Sequence, residues 1–199
     1  MRTEGPVGYG GYGGLIDRNG VIWSTTYGSL LRWDTALPLS GVNGSNWSTL
    51  AGGGHYGLAL DRNGYIWASA YSNGPLYKYA PDGSLAAAYS HPVANGSKGV
   101  AADSLGHIWV ANEGGGTVSH FRADGVLLGA VQIGGSPTGV AADGDGMIWG
   151  TTHNGFVFRI NPAGGGLGAD GTTPLGTVEF TSPNLGGDLY NYSDMTGTN

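Results

Sequence analysis

Four segments of the chain repeat one pattern, and that repeat narrows the possible folds more than any other feature. They are GLIDRNGVIWSTT (14–26), LALDRNGYIWASA (58–70), VAADSLGHIWVAN (100–112) and VAADGDGMIWGTT (140–152). Their shared core is Asp-x-x-Gly-x-Ile-Trp, carried by Asp17, Asp61, Asp103 and Asp143, by Gly20, Gly64, Gly106 and Gly146, and by Trp23, Trp67, Trp109 and Trp149. The tryptophans lie 44, 42 and 40 residues apart. Tandem units of this length are supersecondary units stacked side by side.

The chemistry of one unit indicates its shape. A short run of small apolar residues reads as an inner strand, and Asp-x-x-Gly reads as a hairpin corner. The carboxylate accepts backbone N–H bonds across the turn and glycine supplies a positive φ. Ile-Trp opens a second strand, with the large ring filling space between units. Third strands are expected at 30–33, 76–79, 118–121 and 156–160. Turns such as Pro81-Asp82-Gly83 and Ala123-Asp124-Gly125 lead to outer strands near 85–89 and 126–133. Four strands per unit of about 42 residues make one blade of a β-propeller. The expectation is an all-β propeller of four full antiparallel blades (13–54, 55–97, 98–138 and 139–182). Residues 162–175 form a Gly-rich insertion in the last blade. The tail 183–199 begins a fifth repeat, with an inner strand at 189–194 and a corner at Asp194-Met-Thr-Gly197.

Composition agrees with many strands and tight corners: 41 of 199 residues are glycine, and only 11% are charged. The net charge of −6, with 8 Lys+Arg, leaves no basic stretch to track a phosphate backbone, which disfavours nucleic acid. Cysteine is absent, which excludes a disulfide framework, a thiol nucleophile and a thiolate metal site. No apolar run approaches 18 residues, so no membrane span is expected, and no signal peptide is visible at MRTEGPVGYGG. The polar, lysine-poor composition suits an extracellular or cell-surface bacterial protein.

The Gly-x-Ala-x-Asp-x-x-Gly-x-Ile-Trp blade, clearest at 99–112 and 139–152, resembles the NHL-type and virginiamycin B lyase-like propellers. The resemblance implies the propeller fold over most of the chain and leaves function open, because related propellers include enzymes and plain binding modules. Lyases of this kind have seven blades, a Trp-Phe-Thr-Glu repeat, and a His base with Mg²⁺ near the central channel. The positions matching that Glu are Thr26, Ala70, Asn112 and Thr152, and none is acidic. The resemblance therefore does not bring the lyase's catalytic pattern with it.

Positions that are equivalent between blades but chemically different are free of the fold's demands. One such set precedes the inner strands: Tyr12, Tyr56, Lys98 and Thr138. A second lies four residues after each motif tryptophan: Tyr27, Tyr71, Glu113 and His153. Both fall at one mouth of the channel. They are either ordinary loop side chains or a ligand-binding ring, with tyrosines for stacking and a polar half for hydrogen bonding. Glu113 and His153, on adjacent blades, are the candidate catalytic pair, since a His–carboxylate pair can act as a general base. Two ligands make a poor metal site, and the repeated aspartates, with Asp145, lack the spacing of a calcium loop. No metal or other cofactor is therefore expected, with Mg²⁺ or Ca²⁺ as the candidates if one binds.

The reading is a non-enzymatic extracellular module. It binds a small molecule, glycan or protein, or assembles with copies of itself to complete or extend the propeller. The alternative is a lyase- or hydrolase-like enzyme acting through Glu113 and His153.

Overall fold

A computed structural model describes residues 13–26, 28–37, 47–51, 53–71 and 73–190. Sixteen strands among them form four antiparallel sheets, each built from four consecutive strands in sequence order. Blade one holds β1 (Gly14–Ile16), β2 (Val21–Thr26), β3 (Ser29–Asp34) and β4 (Trp47–Ala51). Blade two holds β5 (His55–Leu60), β6 (Ile66–Ala70), β7 (Leu76–Tyr79) and β8 (Leu85–Tyr89). Blade three holds β9 (Ser97–Ala102), β10 (Ile108–Asn112), β11 (Thr117–Phe121) and β12 (Leu127–Gln132). Blade four holds β13 (Pro137–Ala142), β14 (Ile148–Thr152), β15 (Val157–Asn161) and β16 (Thr177–Thr181). This is the expected propeller. The expected fifth-repeat strand at 189–194 lies mostly outside the described residues, and Leu189 and Tyr190, which are described, sit in no strand.

The repeated motif closes on itself through the aspartate. In blade three, Asp103 Oδ1 accepts the N–H groups of Leu105 and His107, both at 2.9 Å, and Oδ2 accepts the indole N–H of Trp109 at 3.0 Å. Asp17, Asp61 and Asp143 make the same indole bond at 3.2, 2.9 and 2.7 Å. The carboxylate thus ties the corner to a ring six residues later. Gly106 completes the corner at φ +80°, a left-handed conformation that side chains resist. Across the sheet from each tryptophan stand Arg32, Lys78, His120 and Arg159. The three cations lie 4.6–5.6 Å from the indole centroids and His120 stacks at 3.7 Å. Each tryptophan is therefore gripped at its edge by a carboxylate and at its face by a cation or an imidazole.

Three apolar clusters lie between blades. Trp23 and Leu30 meet Leu58, Ile66 and Tyr79 of blade two. Trp67 and Leu76 meet Val100, Ile108 and Phe121 of blade three. Trp109 and Val118 meet Val140, Ile148 and Phe158 of blade four. The first three tryptophans are fully buried, whereas Trp149, on the far face of blade four, is only partly buried. On the free face of blade one, Ile22 is half-buried and Ile16 is 64% exposed. The neighbour-facing equivalents of Ile22, which are Ile66, Ile108 and Ile148, are fully buried. Among the described residues the blades form an open arc with two uncovered end faces.

The inner strands pack side by side at the axis. A Cβ on Gly57 of β5 would lie 2.2 Å from the carbonyl oxygen of Lys98 on β9. We expect Gly57→Ala to destabilise the chain by about 1–3 kcal/mol by forcing blades two and three apart, measured as a lowered urea midpoint. A midpoint unchanged by the alanine would show that the strands do not approach this closely.

The Gly-rich insertion folds back over blade three. Asp170 accepts the N–H groups of Thr172 and Thr173, and receives Arg122 Nη1 from blade three at 2.9 Å. The N–H of Ala169 donates to Leu128 O at 2.8 Å. The insertion therefore clasps blade four to blade three.

Candidate functional site

The mouth residues stand on the axial ends of the inner strands and on the turns that follow the second strands. Tyr56, Lys98 and Thr138 are the second residues of β5, β9 and β13, so they lie within the inner strands and not ahead of them. Hydroxyls of the preceding blade fix two of their carbonyls: Thr25 donates to Tyr56 O at 2.6 Å and Ser69 to Lys98 O at 2.5 Å. Tyr56 and Lys98 are thus mounted on backbone held from the neighbouring blade.

Lys98, Glu113 and His153 meet. Lys98 Nζ lies 2.7 Å from Glu113 Oε1 and 3.2 Å from His153 Nε2, and His153 Nε2 lies 2.8 Å from the same Glu113 oxygen. The lysine side chain is almost wholly buried, at 7% exposed, while Glu113 and His153 stand partly open at 22% and 28%. Tyr71 donates to Glu113 Oε2 at 3.5 Å, and Tyr56 stacks on Tyr71 at 5.4 Å. The ammonium sits over the faces of Tyr56, Tyr71 and Tyr190, closest to Tyr190 at 4.6 Å. The result is a desolvated ammonium held by one carboxylate and flanked by the blade tyrosines Tyr56 and Tyr71, with Tyr190 of the following segment laid over it.

Two members of this group lie outside the repeat. Asp188 Oδ1 faces His153 Nδ1 at 2.5 Å, and Tyr190 stacks on His153 at 4.9 Å with its hydroxyl bonded to that of Tyr56. Both ring nitrogens of His153 are therefore engaged. The neutral ring donates from Nδ1 to Asp188 and accepts from Lys98 at Nε2, while the imidazolium donates from Nε2 to Glu113 as well. Sequence reasoning misses Asp188 and Tyr190 because the pattern reads 189–194 as the inner strand of a fifth repeat, whereas Gly186 and Gly187 turn the chain back to the mouth ahead of it.

The remaining candidates stand elsewhere. Thr138 is buried, with its hydroxyl 3.2 Å from Thr151 Oγ1. Tyr12 and Tyr27 lie outside the described residues. No cluster of three or more His, Cys, Asp or Glu side chains suited to a metal ion occurs among the described residues. At the mouth the Glu113 carboxylate is held by the Lys98 ammonium. Among the described residues no helix is long and apolar enough to cross a membrane.

No family model matches the chain, and no curated protein matches it. Solved structures do. A streptogramin B lyase is 20% identical over 81% of this chain and 55% of its own, with a TM-score of 0.69. A catalytically inactive virginiamycin B lyase from Staphylococcus aureus, solved with quinupristin, is 17% identical over 85% of this chain and 55% of its own, with a TM-score of 0.63. A putative gluconolactonase is 20% identical over 82% of this chain and 61% of its own, with a TM-score of 0.56. The chain spans little more than half the length of the two lyases. The fold is that of the virginiamycin B lyase-like propellers, and identities this low speak to the fold alone.

Proposed function

We propose that the chain is an extracellular, non-enzymatic propeller module of bacterial origin that binds its ligand at the channel mouth. The observation that carries this reading is the convergence of Lys98, Glu113 and His153 inside a tyrosine collar. These residues occupy positions where the blades differ, so the repeat itself does not require them. Aromatic faces suit a sugar ring or an aryl group, and the partly open imidazole and carboxylate suit its polar substituents. A small molecule, a glycan or a protein segment all offer such groups.

A second reading is favoured by one observation: His153 stands between two carboxylates, the arrangement of an oriented general base. On that reading the chain is a lyase- or hydrolase-like enzyme acting on esters or lactones. Lys98 speaks against it, because its ammonium already occupies the Glu113 oxygen nearest the imidazole.

One set of variants separates the two. Saturation-transfer NMR with a mixture of aryl glycosides and aryl carboxylates is expected to show binding to the native chain, and loss of that binding in Glu113→Ala and His153→Ala. Aryl ester and lactone turnover, with and without Mg²⁺, is expected to be absent. Turnover by the native chain that either variant abolishes would replace the binding reading with the enzymatic one.

A further inference from the structure

The segment after β16 turns back across the mouth. Leu185 N–H donates to Gly155 O at 2.9 Å, and Asn184 Nδ2 donates to Asn154 O at 3.2 Å, which anchors the segment to the turn between β14 and β15. Gly186 and Gly187, both at φ +76°, then redirect the chain. Two consecutive left-handed residues are a bend that glycine alone makes readily. Beyond them, Asp188 and Tyr190 reach His153, Lys98 and Tyr56. Leu185 and the Asp188 side chain remain 58% and 63% exposed. Leu189 and Tyr190 are half-buried, and no residue of 185–190 is fully buried, so the segment opens at lower cost than a core strand.

We infer that residues 185–190 are a displaceable strap acting as an internal ligand, and that the external ligand is an extended peptide presenting the same acidic–x–aromatic pair. This rests on the mouth being a binding site. The strap displays the chemistry that the mouth accepts: a carboxylate on the outward nitrogen of His153, and a phenol ring between that imidazole and the Lys98 ammonium. Asp188 and Tyr190 are two residues apart, the spacing that puts both side chains on one side of an extended segment. A carboxylate is the natural acceptor for an outward imidazole N–H whose ring is already braced by Lys98 and Glu113. A neutral glycan offers the ring face without the carboxylate.

The test uses the full chain and a fluorescein-labelled peptide of sequence Gly-Gly-Asp-Leu-Tyr-Asn, read by anisotropy. A tethered strap competes at an effective concentration in the millimolar range, so the double variant Asp188→Asn/Tyr190→Ala is expected to bind the peptide at least about ten-fold more tightly than the native chain. A peptide with Ala for both Asp and Tyr is expected not to bind, and His153→Ala added to the double variant is expected to abolish binding. Thermal melting reports whether each variant folds. Asp188→Asn alone, on an exposed side chain, is the second variant and is expected to shift affinity in the same direction. Equal binding to the native and double-variant chains that still depends on His153 overturns the strap and leaves the mouth as a binding site. Binding that tolerates the alanine peptide, or no binding to either chain, overturns the inference. The aryl-ligand measurement then decides the mouth independently. A neutral oligosaccharide that binds the opened variant more tightly than the peptide would also overturn it.

Discussion

Trp109→Ala is expected to cost about 3–5 kcal/mol, whereas Trp149→Ala, the same change at the equivalent position, is expected to cost no more than about 2 kcal/mol. Trp109 is fully buried between blades three and four, against Val140, Ile148 and Phe158. Its removal opens a cavity in that interface. It also strips His120 of its stacking partner and leaves Asp103 Oδ2 without its indole donor. Trp149 makes the same aspartate bond and lies under Arg159, but no blade covers it among the described residues, so solvent fills most of the space it vacates. For a domain of this size, about 2–4 °C of melting temperature accompanies each kcal/mol, so the two variants separate clearly in a thermal scan. Equal losses would mean that the far face of blade four is covered in solution, by another copy or by residues outside those described.

Acid is expected to destabilise the chain strongly between about pH 6.5 and 4. His55, His91 and His120 are all buried, and burial pushes each down from 6.5 to about 4. His55 Nε2 bonds to Tyr79, and His91 Nε2 bonds to Ser119. His120 bonds to Leu175 O and His107. These partners hold neutral rings. The direction of the pH effect follows from which state binds protons. Between about pH 6.5 and 4 the unfolded chain protonates its histidines while the folded chain does not, so stability is complete above that window and falls as pH drops through it. A depression of this size corresponds to something on the order of 3 kcal/mol per histidine. Three such groups together rival the roughly 5–15 kcal/mol that holds a typical domain. Asp124, Asp143 and Asp170 are lowered by hydrogen bonding, from Arg122, from Trp149 and from the Thr173 and Thr172 backbone respectively. Their contribution is lost only at still lower pH. Melting temperature measured from pH 7.5 to 4 should stay level above about pH 6.5 and fall steeply below it, as the unfolded chain takes up protons that the folded chain does not. His91→Gln, which keeps a partner for Ser119, should flatten part of the slope. A melting temperature constant down to pH 4.5 would contradict the buried, neutral state of these rings.

The scaffold was legible because it repeats. Asp-x-x-Gly-x-Ile-Trp gives the corner and the second strand directly, and the third and outer strands follow by spacing. The indole-to-aspartate bond was also present in the sequence, as a constant six-residue separation, but a spacing alone does not say that the ring turns back toward the corner. The Arg32, Lys78, His120 and Arg159 row was available by the same blade-to-blade comparison. Its chemical variety conceals a single role, which is to cover an indole. At the mouth, Lys98, Glu113 and His153 were legible as positions where blades differ, since the fold places equivalent residues around one axis. Their mutual contacts were not legible, because 15 and 40 residues of sequence separate groups that only blade packing brings together. Asp188 and Tyr190 were hidden for a different reason. The repeat pattern sets 189–194 in a fifth inner strand, while two left-handed glycines aim Asp188 and Tyr190 back at the mouth.

The central claim is that the repeated positions carry the fold while the unlike positions at the mouth carry binding. His153→Ala, followed by thermal melting and aryl-ligand saturation transfer on the same sample, tests it most directly. His153 is partly exposed, at the start of the turn after β14, so a loss of no more than about 1 kcal/mol is expected, with binding lost. A melting temperature that collapses, or binding that survives in a folded variant, would contradict the account.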